Sequence, residues 1–223
     1  MSTALITGAA GGIGRELARQ LAARGTTVIA VCRKPSADLA QLPVRVEAGI
    51  DLATDAGCAA LAERVAGVPL DLVIHNAGVL TQESLDALDE AAVARIRLQF
   101  EVNALAPLRL TALLAPQLAR GAKVALITSR MGSISDNSSG GYYGYRMSKA
   151  ALNAAGRSLA HDLAPRGVTV AILHPGFVQT PMTGGRGDVD AATAASNLLA
   201  RIDELTPATS GSFLHANGSP LPW

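Results

Sequence analysis

Tyr145 and Lys149 stand four residues apart in a segment, 145–163, whose apolar spacing predicts a helix, so both side chains project from one face. That pairing has a direct chemical use. A free phenol keeps its proton up to a pH of about 10, and a neighbouring ammonium stabilises the phenolate and lowers that value. A tyrosine so placed gives a proton to a carbonyl oxygen, or takes one from a hydroxyl, as a general acid or base. Taken alone, the pair reads more readily as a surface tyrosine with an unrelated lysine. Upstream, Ser129 closes an apolar run and is followed by Arg130-Met131-Gly132. A hydroxyl there suits polarisation of a carbonyl. Ser133, Ser135, Ser138 and Ser139 lie between it and Tyr145 and compete for the role; the S-x-x-G placement directly after a strand favours Ser129.

A second constellation opens the chain. Thr7-Gly8-Ala9-Ala10-Gly11-Gly12-Ile13-Gly14 joins an apolar run to a helical one. Missing side chains let the backbone turn tightly and approach a pyrophosphate resting on a helix N-terminus, and Gly14 lets that helix lie close to a sheet. A dinucleotide bound there has its ribose 2′ position read after the second strand. That segment, Val31-Cys32-Arg33-Lys34, has no carboxylate to accept a 2′-hydroxyl, and Arg33 offers a fork to a 2′-phosphate. Two solvated charges at a strand end are the alternative. The expectation is NADP(H).

The elements needed to position these groups alternate along the chain. Strands are predicted at 5–7, 27–31, 44–46, 70–74, 124–127, 168–173 and 212–214, from β-branched and fully apolar runs. Helices are predicted at 13–24, 55–65, 90–118 (bent or broken near Pro107), 145–163 and 189–205. The stretch 129–144 is rich in Ser, Gly and Asn and reads as a loop. The stretch 174–188, with two prolines and four glycines, must be irregular. The pattern predicts an α/β fold: a doubly wound, mostly parallel seven-stranded sheet with helices on both faces, in a single domain spanning 1–223. Ligands of such sheets bind beyond the carboxyl ends of the strands, where every motif above falls.

Composition narrows the function classes. With 49% hydrophobic and 17% charged residues, the chain has material for one sizeable core. A net charge of +1 and 3% aromatics argue against nucleic acid as a partner. Charges, Gly or Pro interrupt every hydrophobic run before membrane-spanning length, so no membrane partner is expected. Met1-Ser2-Thr3-Ala4 leads straight into a strand without a basic, cleavable leader, and Cys32 and Cys58 fit no metal or disulfide pattern. The expectation is a cytoplasmic protein with free thiols. His75, His161, His174 and His215 match no zinc spacing, so no metal is expected.

Taken together and in order, these motifs resemble the short-chain dehydrogenase/reductase family over essentially the whole chain. T-G-x-x-x-G-x-G at 7–14 resembles its opening. Asp51-Leu52 follows the third strand, where that family contacts adenine. His75-Asn76-Ala77-Gly78 is similar to its N-N-A-G motif, with His replacing the first Asn. Tyr145 to Lys149 is similar to its Y-x-x-x-K motif, and His174-Pro175-Gly176 followed by Thr180 to its P-G segment and nicotinamide-contacting Thr. The resemblance implies hydride transfer between NADP(H) and a small-molecule carbonyl/alcohol pair. Tyr145 would be the acid/base, Ser129 the carbonyl donor, and Lys149 a ribose ligand. Asn103 would support a water relay from Lys149 to solvent. It implies cofactor contacts at Gly8, Gly12, Ile13, Gly14, Arg33, Asp51, Leu52, Asn76, Ala77, Gly78, Tyr145, Lys149, Pro175, Gly176, Val178 and Thr180, and a substrate loop at about 176–188. The 16 positions from Ser129 to Tyr145 exceed the family's usual gap. With the segment 132–153 and the tail 211–223, they resemble the carbonyl reductase subgroup that includes the sniffer and C-factor proteins. Members of the family often pair through the long helices, so a homodimer or homotetramer is a further implication, with Ala104, Ala106, Ala112 and Ala115 and Ala150, Ala151, Ala154 and Ala155 allowing close approach. The rival reading is a nucleotide-binding regulatory or signalling protein of the same fold.

Overall fold

Successive residues of the central strands feed two different cores, and this alternation organises the molecule. The structure, a computed structural model, describes residues 2–223. Its strands are β1 (Thr3–Thr7), β2 (Thr27–Val31), β3 (Arg45–Glu47), β4 (Leu70–His75), β5 (Leu118–Ile127), β6 (Thr169–His174) and β7 (Phe213–His215). They form one sheet in the order β3-β2-β1-β4-β5-β6-β7, with every neighbouring pair parallel. The sheet is therefore wholly parallel rather than mostly so. Leu5, Ile29, Val124 and Ile172 face one core, and Ile6, Ala30, Ala125 and Leu173 the other. Covering both faces is why the central strands are apolar at most positions.

The first core is closed by helices α3 (Asp55–Arg64), α5 (Ala106–Leu114) and α6 (Tyr143–Leu163), through Leu61, Leu110, Leu114, Leu152 and Leu159. The second is closed by α1 (Gly12–Ala23) and α7 (Ala191–Asp203), through Leu17, Leu21, Leu198 and Ile202. Each fully buried leucine contributes roughly 1.5–3 kcal/mol of transfer free energy. A short helix, α2 (Ala37–Ala40), was not foreseen; the Ser36 side chain caps it by accepting from the Leu39 N–H at 3.2 Å.

Three expectations need correction. The stretch 90–118 is not one helix. Helix α4 (Glu90–Phe100) passes through a π turn (Glu101–Leu105) into α5, with Pro107 in the first turn of α5. Proline removes one helical donor, and the wider turn just before it absorbs the mismatch. β5 starts at Leu118, six residues before the predicted strand. Leu118 pairs with Leu70, the chain makes an excursion through Gly121, and pairing resumes at Lys123 with Leu72. Finally, Ala104 and Ala106 are buried within the chain's own core, so they are not available to a second subunit.

Candidate active site

The strand order reverses between β1 and β4, and beyond the carboxyl ends of these strands lies a cavity of about 890 Å³. Its floor is the glycine loop. Gly8 adopts φ +69, and a Cβ there would stand 2.8 Å from the Ala77 Cα; a Cβ at Gly14 would stand 2.3 Å from the Gly8 carbonyl oxygen. Gly14 thus serves close packing and does not line the cavity, whereas Gly8, Gly12 and Ile13 do. Asn76 holds the loop in place. Its Nδ2 donates to the carbonyls of Thr7 (3.1 Å) and Gly8 (3.2 Å), while the Thr7 hydroxyl accepts from the main-chain N–H groups of Asn76 and Ala77. Thr7, the first residue of the 7–14 motif, thus has a holding role that the motif alone does not specify.

Arg33, Lys34, Asp51 and Leu52 border the cavity at the β2–β3 end. Neither Arg33 nor Lys34 joins an ion pair among the described residues, whereas Arg15 pairs with Asp38 and Glu16. Asn76, Ala77 and Gly78 run along the middle, and Tyr145, Lys149, Pro175 and Thr180 close the far end. Gly176 and Val178 do not line the cavity. Gly176 adopts φ +94, and Val178 is buried and bridges to Val189. The segment after β6 accordingly bears on the cavity through Pro175, Thr180, Pro181 and Met182.

Helix α6 brings Tyr145 and Lys149 to the far end, both buried. Lys149 Nζ donates to the Ile127 carbonyl at 2.8 Å and lies 5.7 Å from the centre of the Tyr145 ring. Burial pushes the Tyr145 phenol up to about 12, with the Ser129 hydroxyl acting in the opposite direction. Burial likewise pulls Lys149 down to about 8. The lowered phenol expected from the Tyr–Lys spacing is therefore not found in this structure. The ammonium is itself desolvated and directed at a main-chain carbonyl, so the loss of water around the phenol wins. Ser129 is buried at the start of a 3₁₀ turn (Arg130–Gly132), and its hydroxyl accepts from the Met131 N–H at 3.1 Å. Of its competitors, Ser133 and Ser135 donate to the main-chain oxygen of Trp223, and Ser139 accepts from Arg146.

Asn103 sits in the π turn, fully buried. Its Oδ1 accepts from the Val79 N–H (2.8 Å), and its Nδ2 donates to the Val79 carbonyl (2.9 Å) and to Ser148 (3.0 Å). Both ends of the amide are engaged, which leaves one lone pair of Oδ1 free. A Cβ at Gly78 would lie 3.3 Å from that oxygen and 3.7 Å from Lys149 Nζ, so Asn103 and Lys149 flank the same point. His75 is a packing residue. Its Nε2 meets the Thr111 hydroxyl at 2.8 Å beneath the cavity, and burial pulls it down to about 4.

A buried polar cluster orients the start of α6 and escaped the sequence reading. Glu83 accepts from Thr81 and from Gln99 Nε2 (2.8 Å), and its other oxygen accepts from the Gly144 N–H at 3.1 Å. A Cβ at Gly144 would meet Gln99 Nε2 at 2.3 Å. The glycine directly before Tyr145 was the available signal.

The family model for short chain dehydrogenases matches residues 2–190. The chain belongs to the short-chain dehydrogenase family. The resemblance read from the motifs is thereby borne out. Among its relatives is the 1-hydroxy-2-glutathionyl-2-methyl-3-butene dehydrogenase of Rhodococcus sp. (strain AD45), 45% identical over 229 residues with all of both chains covered. The C-signal protein of Myxococcus xanthus is 46% identical over 167 residues, covering 74% of this chain and 99% of that one. Among solved structures, an NADPH-bound carbonyl reductase from chicken fatty liver superimposes with a TM-score of 0.87 at 28% identity, covering 100% of this chain and 99% of that one. That family is one of oxidoreductases that use a nicotinamide cofactor. No helix among the described residues is long and apolar enough to cross a membrane.

Proposed function

We propose that the protein transfers hydride between NADP(H) and a small carbonyl/alcohol pair, with Tyr145 as general acid/base. The observation that carries this reading is that Tyr145 and Lys149 line one end of the cavity and Ser129, behind that lining, hydrogen-bonds to Tyr145, while Arg33 and Lys34 line the cavity elsewhere. The residues fit a dinucleotide. The glycine loop lines the floor, Asn76 and Thr7 hold it in place, and Arg33 and Lys34 line the cavity without an ion-pair partner among the described residues. When bound, NADP(H) supplies or accepts the hydride. A phenol held near 12 is neutral at pH 7 and keeps a proton ready for the carbonyl oxygen. Ser129 donates to that same oxygen and polarises the bond. Lys149, still mostly protonated at neutral pH, balances the negative charge that develops on Tyr145 and would hold the cofactor's ribose. Asn103 ties Val79 to Ser148, the residue before Lys149, and its free lone pair would serve a relay water.

The Rhodococcus relative is named for an alcohol carrying a glutathionyl group, which supports a carbonyl/alcohol substrate and argues for testing both directions. The C-signal relative supports the rival, a signalling protein with little dependence on turnover. One experiment separates them: NADPH consumption is followed by absorbance with a panel of aldehydes, ketones and quinones. NADP⁺ reduction is followed with the matching alcohols, including S-glutathionyl alcohols. Turnover in either direction that disappears in Tyr145→Phe supports the enzyme. Tight NADPH binding without turnover on any member of the panel favours the rival.

A further inference from the structure

The loop that carries Ser129 is held from a point remote in sequence. The main-chain oxygen of Trp223 accepts four hydrogen bonds: from the N–H groups of Ile134 (3.1 Å) and Ser135 (3.0 Å), and from the hydroxyls of Ser133 (3.0 Å) and Ser135 (2.9 Å). The Trp223 ring lies against Phe213 of β7, with centroids 5.5 Å apart and planes inclined by 35°. The tail reaches this position by running back along β7. The Leu221 N–H donates to the Phe213 carbonyl at 2.9 Å, and Leu214 bridges Pro220 in antiparallel fashion.

The same hairpin touches the other loop at this end of the sheet. The His215 ring stands edge-on to His174 at 5.0 Å, and a Cβ at Gly176 would lie 3.7 Å from it. Movement at Ser133 is passed to Ser129 through a tight turn, in which Gly132 N–H donates to the Ser129 carbonyl and Ser133 N–H to the Arg130 carbonyl, both at 2.9 Å. That turn has little freedom. A Cβ at Gly132 would stand 2.9 Å from the Lys149 carbonyl oxygen, and Asn153 Nδ2 donates to the Gly132 carbonyl at 3.3 Å. The turn is therefore clamped between α6 on one side and Trp223 on the other.

We propose that Trp223 is a positioning residue: by clamping Ser133–Ser135 to β7 it sets where Ser129 stands relative to Tyr145. This rests on the roles given to Ser129 and Tyr145 above. The test uses Ser133→Ala/Ser135→Ala, which removes two donors, and Trp223→Ala, with Trp223→Phe as the variant that keeps the ring contact. At saturating NADPH, kcat/KM for the parent's best carbonyl substrate falls about tenfold in the first two, because small displacements of reacting groups are costly. The fall is mainly in kcat, the NADPH Kd is unchanged, and Trp223→Phe recovers most of the loss. Trp223 is the chain's single tryptophan, so its fluorescence reports the clamp without turnover. Acrylamide quenching increases in Ser133→Ala/Ser135→Ala. Unchanged quenching with unchanged kcat/KM overturns the proposal. So does a loss of activity matched by an equal loss of NADPH affinity, which marks general loosening. If the parent turns over no substrate, the functional reading fails, and the quenching comparison by itself still decides whether the clamp exists.

Discussion

Replacing Arg33 by alanine should remove most of the preference for NADPH over NADH. The guanidinium stands at the end of β2 on the cavity border, exposed and without an ion-pair partner among the described residues, beside an equally exposed Lys34. A 2′-phosphate brings nearly two negative charges and meets a planar fork with two parallel hydrogen bonds, each worth roughly 1.5–3 kcal/mol to a charged group. Solvent at this rim screens the attraction, and ordering a long side chain opposes it, so a net preference of about 2 kcal/mol, near thirtyfold, is expected. Lys34 supplies charge without the fork and retains only a minor share. Fluorescence or calorimetric titration of parent and Arg33→Ala with both cofactors is the assay, repeated at low and high salt. In the variant NADPH binding weakens about thirtyfold while NADH binding hardly changes, and the parental preference shrinks as salt rises. Equal affinities in the parent, or an unchanged ratio in the variant, would refute the reasoning.

Three other outcomes follow from the geometry. Tyr145→Phe should keep the fold and NADPH binding but lose about a hundredfold to ten-thousandfold in kcat, measured by NADPH absorbance; near-parental kcat would remove Tyr145 from the chemistry. Ser129→Ala should cost about 3 kcal/mol of transition-state stabilisation, seen in kcat, and far exceed Ser133→Ala or Ser135→Ala alone; if Ser133→Ala were the crippled one, the assignment within the loop would be wrong. His75 stays neutral in the fold down to about 4, against 6.5 when unfolded, so the unfolded chain binds a proton first as pH drops. Its contribution is present above pH 6.5, is lost as pH falls toward 4, and amounts to about 3 kcal/mol. Urea unfolding midpoints across that range should fall less steeply for His75→Asn than for the parent, and parallel slopes would refute the attribution.

What the sequence determined by itself was what short windows encode. Apolar runs marked the central strands, because a strand covered on both faces must be largely apolar, while the short edge strands β3 and β7 showed more weakly. The i, i+4 spacing of Tyr145 and Lys149 put both on one helical face, and the glycine loop announced a backbone approach site at the end of β1. The element ends were less legible. The π turn before Pro107 and the Asp190 side chain capping α7 through the Thr193 N–H are settled by local hydrogen-bond geometry that apolar periodicity does not carry. Tertiary structure alone decided the rest, since its determinants lie far apart in the chain. Asn76 clamps a glycine loop 68 positions away, Glu83 caps the helix start 61 positions away, and Trp223 holds a serine 90 positions away. No sequence window spans those bonds. The protonation of the Tyr–Lys pair belongs to the same class. Spacing pointed to a lowered phenol, but the value is set by how much water the fold removes, and burial of both groups drives Tyr145 up and Lys149 down.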